Sequence, residues 1–219
     1  MKMLALAAVS RPGTYGRMRS TTNLVIRADP TRIHSYVKKF PLKSRYGIER
    51  HPFVLGGRDF PTPITVEQEP NYVRMSDAMR HIEDVTQSIA YRNAVISLES
   101  DGVTSYRGVR IHTREEARDT IQRYVSELVA SIRHNGYDDR FGPPGLAAIG
   151  PDGELLKSGR GHHRFTVARE LQIARMPLEV HLVHEDWART WGWDATRRVF
   201  SSRERLTAGL DEVARAVTD

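Results

Sequence analysis

Two histidines and two arginines are set among glycines in "SGRGHHR", residues 158–164, between a strand-like run, "ELLK", and a helix-like run, "RFTVARELQ". A helix opening at His162 or His163 presents unpaired backbone N–H groups and the positive end of its dipole. Gly159 and Gly161 before it let a ligand approach the backbone, so the arrangement is an anion site that phosphate fits. Arg160 and Arg164 add planar forks matched to phosphate oxygens, Ser158 adds a hydroxyl, and His162 and His163 can donate a hydrogen bond or move a proton near neutral pH. The loop is neither a Walker loop nor a dinucleotide fingerprint, and a tight turn with two surface histidines explains the same letters.

Phosphoryl transfer needs a carboxylate to activate the acceptor hydroxyl and usually a Mg2+ ion between phosphates. Glu154, Glu179, Glu185 and Asp186 lie in segments near the turn. Spacing singles out none of them, and Glu154 is carried forward with His163 as the catalytic pair. His181 and His184 are three apart on an expected strand, which puts their rings on opposite faces and argues against a metal pair. Trp187, Trp191 and Trp193 can stack a base, but such a cluster more often anchors a terminal segment on the core.

The elements that must position these residues follow from the apolar spacing. Residues 10–23 hold turn formers without an apolar period and read as a flexible lead-in. "NLVIRADPTRI" reads as a strand ending where Asp29 caps a helix that has Pro30 at its first position and extends through "PTRIHSYVKKF". Prolines and glycines from Pro41 to Pro70 break regular structure into loops with short strands. Met79, Ile82, Val85 and Ile89 fall at helical spacing after Ser76, an expected N-cap, and "GVTSYRGVRIHT" carries turn signals. The clearest helix spans 114–135: Thr113 and Glu116 form a capping-box pattern, Ala117, Ile121, Val125, Leu128, Val129 and Ile132 make one stripe, and Gly136 ends it. "GPPGLAAIG", "PDG" and "ELLKSG" then read as strand, turn and strand. "PLEVHLVH" turns Leu178, Val180 and Leu182 inward, and from Asp194 onward Val199, Leu206, Leu210, Val213 and Val217 mark a terminal helix.

Composition narrows the class. The 219 residues are 39% apolar and 27% charged, with no apolar run of the ~20 residues that a membrane span needs. Without cysteine there is no disulfide, thiolate catalysis or thiolate metal site. The opening "MKMLALAAVS" is a short apolar run followed at once by "RPGTYGRMR", so a cytoplasmic location is expected rather than secretion. The net charge of +6 comes from the N-terminal end, where residues 1–60 hold 12 Lys and Arg against three acids. Such an arm, with Arg11, Arg17, Arg19, Arg27 and Arg32, can neutralise nucleic-acid phosphates or simply be a solvated surface.

In order, "LVASIRHNGY", an apolar strand, "DGELLKSGRGHHRFTVARELQIARMPLEV" and a final β-run resemble the ParB/sulfiredoxin-like superfamily, and "LVIRADPTRI" is similar to its opening strand and Asp-Pro turn. The resemblance covers residues 24–36 and 125–184. It implies an α+β fold, a ParB/sulfiredoxin-like domain with a small mixed sheet over residues 24–186. Against that pattern, about 41–112 stands as a helical insertion, with a flexible basic segment, 1–23, before the domain and a helical extension, 187–219, after it. The implied ligand is a nucleotide, ATP or another, with its phosphates held by the turn and with Ser131 and Asn135 of "SIRHNG" facing it; by pattern alone those two belong to a C-cap. Sulfiredoxin chemistry needs a cysteine in this turn, where His162 stands. A partition protein needs a second phosphate-contact motif and a DNA-binding domain, where "HEDWARTWGWDATRR" stands. The remaining expectation is a nucleotide-binding protein, either a phosphotransferase or a nucleotide hydrolase acting on a small hydroxylated acceptor, with Mg2+ as companion ion. The alternatives are a DNA-binding or nuclease protein that uses the basic arm and the same turn, and a catalytically silent interaction module.

Overall fold

The computed structural model describes residues 14–38, 53–137 and 142–218, which fall into two compact units. Residues 1–13, with Arg11 of the basic arm, and residues 39–52 of the loop-rich stretch lie outside the described residues. Among the described residues no helix is long and apolar enough to cross a membrane.

The first unit comprises the described residues within Met1–Val66, Asp139–Gly161 and Ala174–Asp219. Its centre is a mixed seven-stranded sheet built from β1 (Val25–Ala28), β2 (Ser35–Val37), β3 (Val54–Leu55), β4 (Ile64–Thr65), β7 (Gly145–Ile149), β8 (Leu155–Ser158) and β9 (Met176–His184). The order is β1-β9-β7-β8-β2-β4, with β3 also on β9. β7 and β8 form a hairpin, while β7 runs parallel to β9 and β2 parallel to β8. Val37, Leu55, Phe60, Ala148, Leu156 and Leu182 form an apolar cluster on this frame.

Strand β9 departs from the expected alternation, because every residue from Met176 to Val183 is buried, including Glu179 and His181. A strand flanked on both edges and covered on both faces has no solvent side, so its polar residues must find partners. Glu179 meets Arg19 at 2.5 Å and Arg160 at 3.0 Å; His181 meets Ser158 at 3.0 Å.

Three further expectations are corrected in this unit. Thr14–Thr21 is a helix, α1, not a lead-in; no apolar period marks it, and Arg19 in its last turn is held by Glu179. Asp29 does cap the turn that begins at Pro30, accepting from the Thr31 amide at 2.8 Å, but only a single 3-10 turn, Pro30–Arg32, follows. The chain then enters β2, whose Tyr36 and Val37 pair with Lys157 and Ser158, so sheet pairing overrides local helix preference. The terminal helix starts at Arg203 rather than near Asp194, because Trp193–Asp194 and Val199–Phe200 pair as β10 and β11. Between β9 and β10 lies a short helix, α6 (Glu185–Thr190), and the last helix, α7 (Arg203–Ala216), buries Leu206, Leu210 and Val213.

The second unit comprises the described residues within Glu67–Asp138 and His162–Ile173. It holds α2 (Pro70–Arg80), α3 (Ile89–Asp101), the hairpin β5 (Thr104–Tyr106) and β6 (Val109–Ile111), α4 (Arg114–Asn135) and α5 (His162–Glu170). Helix α4 has the expected limits and cap, with the Thr113 hydroxyl accepting from the Glu116 amide. Of its expected stripe, Ala117, Ile121, Val125, Val129 and Ile132 are buried and Leu128 is partly so. They pack with Met75, Ala78, Ala90, Ala94, Ile111 and Val167. Ser76 does not begin a helix: it lies inside α2, whose cap is Glu69, and α3 begins separately after Ser88. Pro70, ideal at a first helical turn, is the start signal that the proline-rich reading of this region passed over.

Candidate functional site

Within the sheet unit, β8 delivers Ser158 into the turn Gly159–Arg160–Gly161. Gly159 has φ +48° and Gly161 φ +88°; a Cβ on Gly161 would stand 2.8 Å from the Cα of Gly145, so only glycine fits there. The turn is held from inside by Lys157, which is 1% exposed. Its ammonium donates to the carbonyls of Leu146 at 3.2 Å, Arg160 at 3.0 Å and Ser158. In a trans peptide the C=O and the following N–H point opposite ways, so the amides of Gly159 and Gly161 face away from that ammonium. Arg160 donates to the Pro144 carbonyl at 3.1 Å and to Glu179 at 3.0 Å. The expected phosphate fork is thus committed to a buried carboxylate. Glu154 is exposed in the β7–β8 turn and accepts from the Asp152 amide, a turn-supporting contact. His184 caps α6 by accepting from the Asp186 amide.

Within the helical unit lie the other expected residues. His162 approaches Glu69 at 3.9 Å, Arg164 stacks over the Tyr137 ring at 5.2 Å, and Asn135 donates to the Ser131 carbonyl at 3.1 Å, closing the end of α4. His163 has a different setting. It lines a cavity of about 380 Å³ together with Asn71 and Arg74 of α2, Asn93 and Ser97 of α3, and Arg107 of the hairpin. Ala90 and Ala94 are the small residues that leave room between these elements.

The cavity is cationic. Neither Arg74 nor Arg107 forms a salt bridge among the described residues: Arg74 donates to Asn71 at 2.7 Å, and Arg107 lies over the Tyr124 ring at 5.5 Å. In the same cavity the His163 ring packs edge-on to Tyr124, and its Nδ1 shares a 3.0 Å hydrogen bond with the Tyr124 hydroxyl. Burial, then the nearby charges of Arg107 and Arg74, push the His163 pKa down from 6.5 to about 4. Burial pushes Tyr106 up to about 12, with Tyr124 adding to it, and burial likewise raises Tyr124. At neutral pH the site therefore presents two guanidinium charges, a neutral imidazole and protonated phenols.

Arg107 occupies this place at a conformational cost. It is one of three non-glycine residues with positive φ among those described, at +52°, and with Gly108 at +84° it makes the two-residue turn of a hairpin. Asparagine, aspartate and glycine are the usual residues in such a turn, and arginine there is strained.

His163 is the member of the expected set that lines this cavity. Arg74, Arg107, Tyr106, Tyr124 and the turn-holding Lys157 were missed. A signal existed for two of them: "YRGV" is a two-residue hairpin turn with an unsuitable first residue, and Lys157 is the one lysine outside the first 43 residues. The convergence of α2, α3 and the hairpin on His163 has no local signature. No protein-family model matches the chain, and it has no match among curated proteins or solved structures.

Proposed function

We propose that the protein is a nucleotide-binding protein whose helical unit holds the phosphate of a small ligand between Arg74, Arg107 and His163. The observation that carries this reading is the cavity with two guanidinium groups and no acid partner for either among the described residues. Two exposed arginines without an acid partner among the described residues, beside a desolvated imidazole, gain from an anion that accepts several hydrogen bonds. At about 380 Å³ the cavity is at the small end for ligand sites and suits a single nucleotide rather than a polymer. Tyr106 and the amide of Asn93 supply an apolar face and a hydrogen-bonding group for the remainder of the ligand, while the Asn71 amide, which donates to Glu69 and accepts from Arg74, holds Arg74 in place.

The resemblance to ParB/sulfiredoxin-like domains supports the same ligand class from the sequence side, and the order strand, long helix, strand hairpin, "GHHR" helix, strand agrees with it. The cytoplasm is the compartment proposed for a chain without cysteine. Binding is better supported than catalysis. Among the described lining residues there is no carboxylate to activate a hydroxyl acceptor, and the guanidinium, imidazole, amide and hydroxyl groups do not fit Mg2+, which prefers oxygen ligands that include carboxylates. His163, neutral at pH 7 in the free protein, acts as a hydrogen-bonding partner whose proton affinity rises when an anion enters. The nucleic-acid alternative has less support, since Arg19 of the basic segment is paired with Glu179.

A thermal-shift panel of ATP, CTP, GTP and their monophosphates, with and without Mg2+ and beside short DNA, tests this. At least one nucleotide is expected to raise Tm, and Arg74→Gln with Arg107→Gln to lower its affinity by about tenfold or more. A folded protein that no nucleotide stabilises overturns the reading. Stabilisation by DNA alone, falling steeply with salt, replaces it with the nucleic-acid one.

A further inference from the structure

The sheet unit contains a second cavity with the opposite electrical character. Trp187 of α6 and Trp191, one turn later at its C-cap, place their indoles 6.5 Å apart at 43°. With Asp152 and Gly153 of the β7–β8 turn and Glu212 and Val213 of α7 they line a space of about 300 Å³. Both rings are fixed by glycines: a Cβ on Gly153 would stand 3.3 Å from Trp187, and one on Gly209 would stand 2.6 Å from Trp191. The indoles therefore sit directly against the backbone of the turn and of α7, which leaves them little freedom to collapse into the space between; Trp187 is buried and presents little surface, so the half-buried Trp191 is the main aromatic wall.

The charged side chains that line this cavity are both acids, while Arg205 and Arg32 stand outside the lining and donate to the carbonyls of Thr190 at 3.1 Å and Ala216 at 3.5 Å. Asp152 and Glu212 are exposed and enter no ion pair among the described residues, and the lining includes no lysine or arginine. An anion finds no lining cation here, and a neutral apolar ligand gains nothing from the carboxylates. A bare ammonium, strongly hydrated, gains little from the indoles. A cation that spreads its charge over methyl groups satisfies both walls, with its apolar surface on the rings and its charge within reach of the acids.

We propose that this cavity is a binding site for a small methylated ammonium, either free or at the end of a larger molecule. The site lies wholly within the sheet unit and does not depend on the phosphate-ligand reading.

The test compares choline with its uncharged isostere 3,3-dimethylbutan-1-ol by calorimetry, following the tryptophan indole N–H resonances. Choline is expected to bind at least about tenfold more tightly and to shift the resonances of Trp187 or Trp191. Asp152→Asn with Glu212→Gln, both surface changes that leave the core intact, is expected to reduce choline affinity by about three- to tenfold and to leave the isostere unaffected. Three results overturn the proposal: equal binding of the isostere, choline affinity unchanged in the double variant, or no choline binding to the folded protein at millimolar concentration.

Discussion

The turn at Gly159–Gly161 and the cavity at His163 are both rich in basic groups, yet they treat positive charge in opposite ways. Around the turn each cation has protein partners: Lys157 holds three carbonyls, Arg160 holds Glu179 and the Pro144 carbonyl, and Arg19 shares Glu179. Around the cavity, Arg74 and Arg107 meet an amide and an aromatic face and no acid among the described residues. Satisfied charge holds a fold together; charge left without an acid leaves a place for an anion. The glycine-rich motif that draws the eye is thus the more structural of the two regions. The less conspicuous one has the free electrostatic capacity.

The largest test of this contrast is Lys157. If its ammonium is the internal support of the turn, Lys157→Met takes a donor from three carbonyls, of which that of Arg160 keeps a backbone donor, the Leu146 amide, and lowers stability by about 2–4 kcal/mol. Urea denaturation measures it. Lys157→Arg is expected to rescue little, because a planar fork does not fit a pocket shaped for a compact ammonium. A loss below about 1 kcal/mol would show that the carbonyls are satisfied without the lysine and that the turn is not held from inside.

The next effect belongs to the cavity and depends on pH. The unfolded chain binds a proton at His163 near pH 6.5 and the folded chain only near 4. The stability this contributes is fully present above about 6.5 and is lost as pH falls towards about 4, reaching about 3 kcal/mol. His163→Gln removes that titration, so its stability is expected to fall less than the wild type's between about pH 7.5 and pH 4.5. Equal slopes in the two proteins would mean that His163 is already solvated and that the cavity is not the desolvated, cationic place described. A bound phosphate ligand should flatten the wild-type slope as well, since the anion restores the proton affinity of His163.

What the sequence made legible divides along the same line. Helix α4 was readable to its ends because its cap, its stripe and Gly136 agree locally, and so was the β7–β8 hairpin around "PDG". Strand β2 was not, since "RIHSYV" follows Asp-Pro and its pairing partner, Lys157–Ser158, lies more than a hundred residues away. The burial of Glu179 and His181 was hidden for the same reason: alternation predicts a solvent face, and only the assembled sheet removes it. Of the expected site, the residue types at 158–164 carried the chemistry of phosphate. The sequence could not tell that Arg160 is matched by Glu179, nor that His163 is joined by Arg74 and Arg107, because those partners come from other elements.

Arg107 offers the smallest and most discriminating effect. Its positive φ costs about 0.5–1 kcal/mol relative to a residue suited to the turn, and asparagine suits it. Arg107→Asn is therefore expected to stabilise the protein by about that amount while weakening phosphate-ligand binding several-fold. Gain of stability together with loss of binding is what a strained residue kept for a ligand produces. A purely structural Arg107, useful mainly for its stacking on Tyr124, would instead lose stability on substitution and leave ligand affinity unchanged. The two signs are opposite, so one pair of measurements, a denaturation midpoint and a binding isotherm, decides whether the cationic cavity owes its charge to function or to packing.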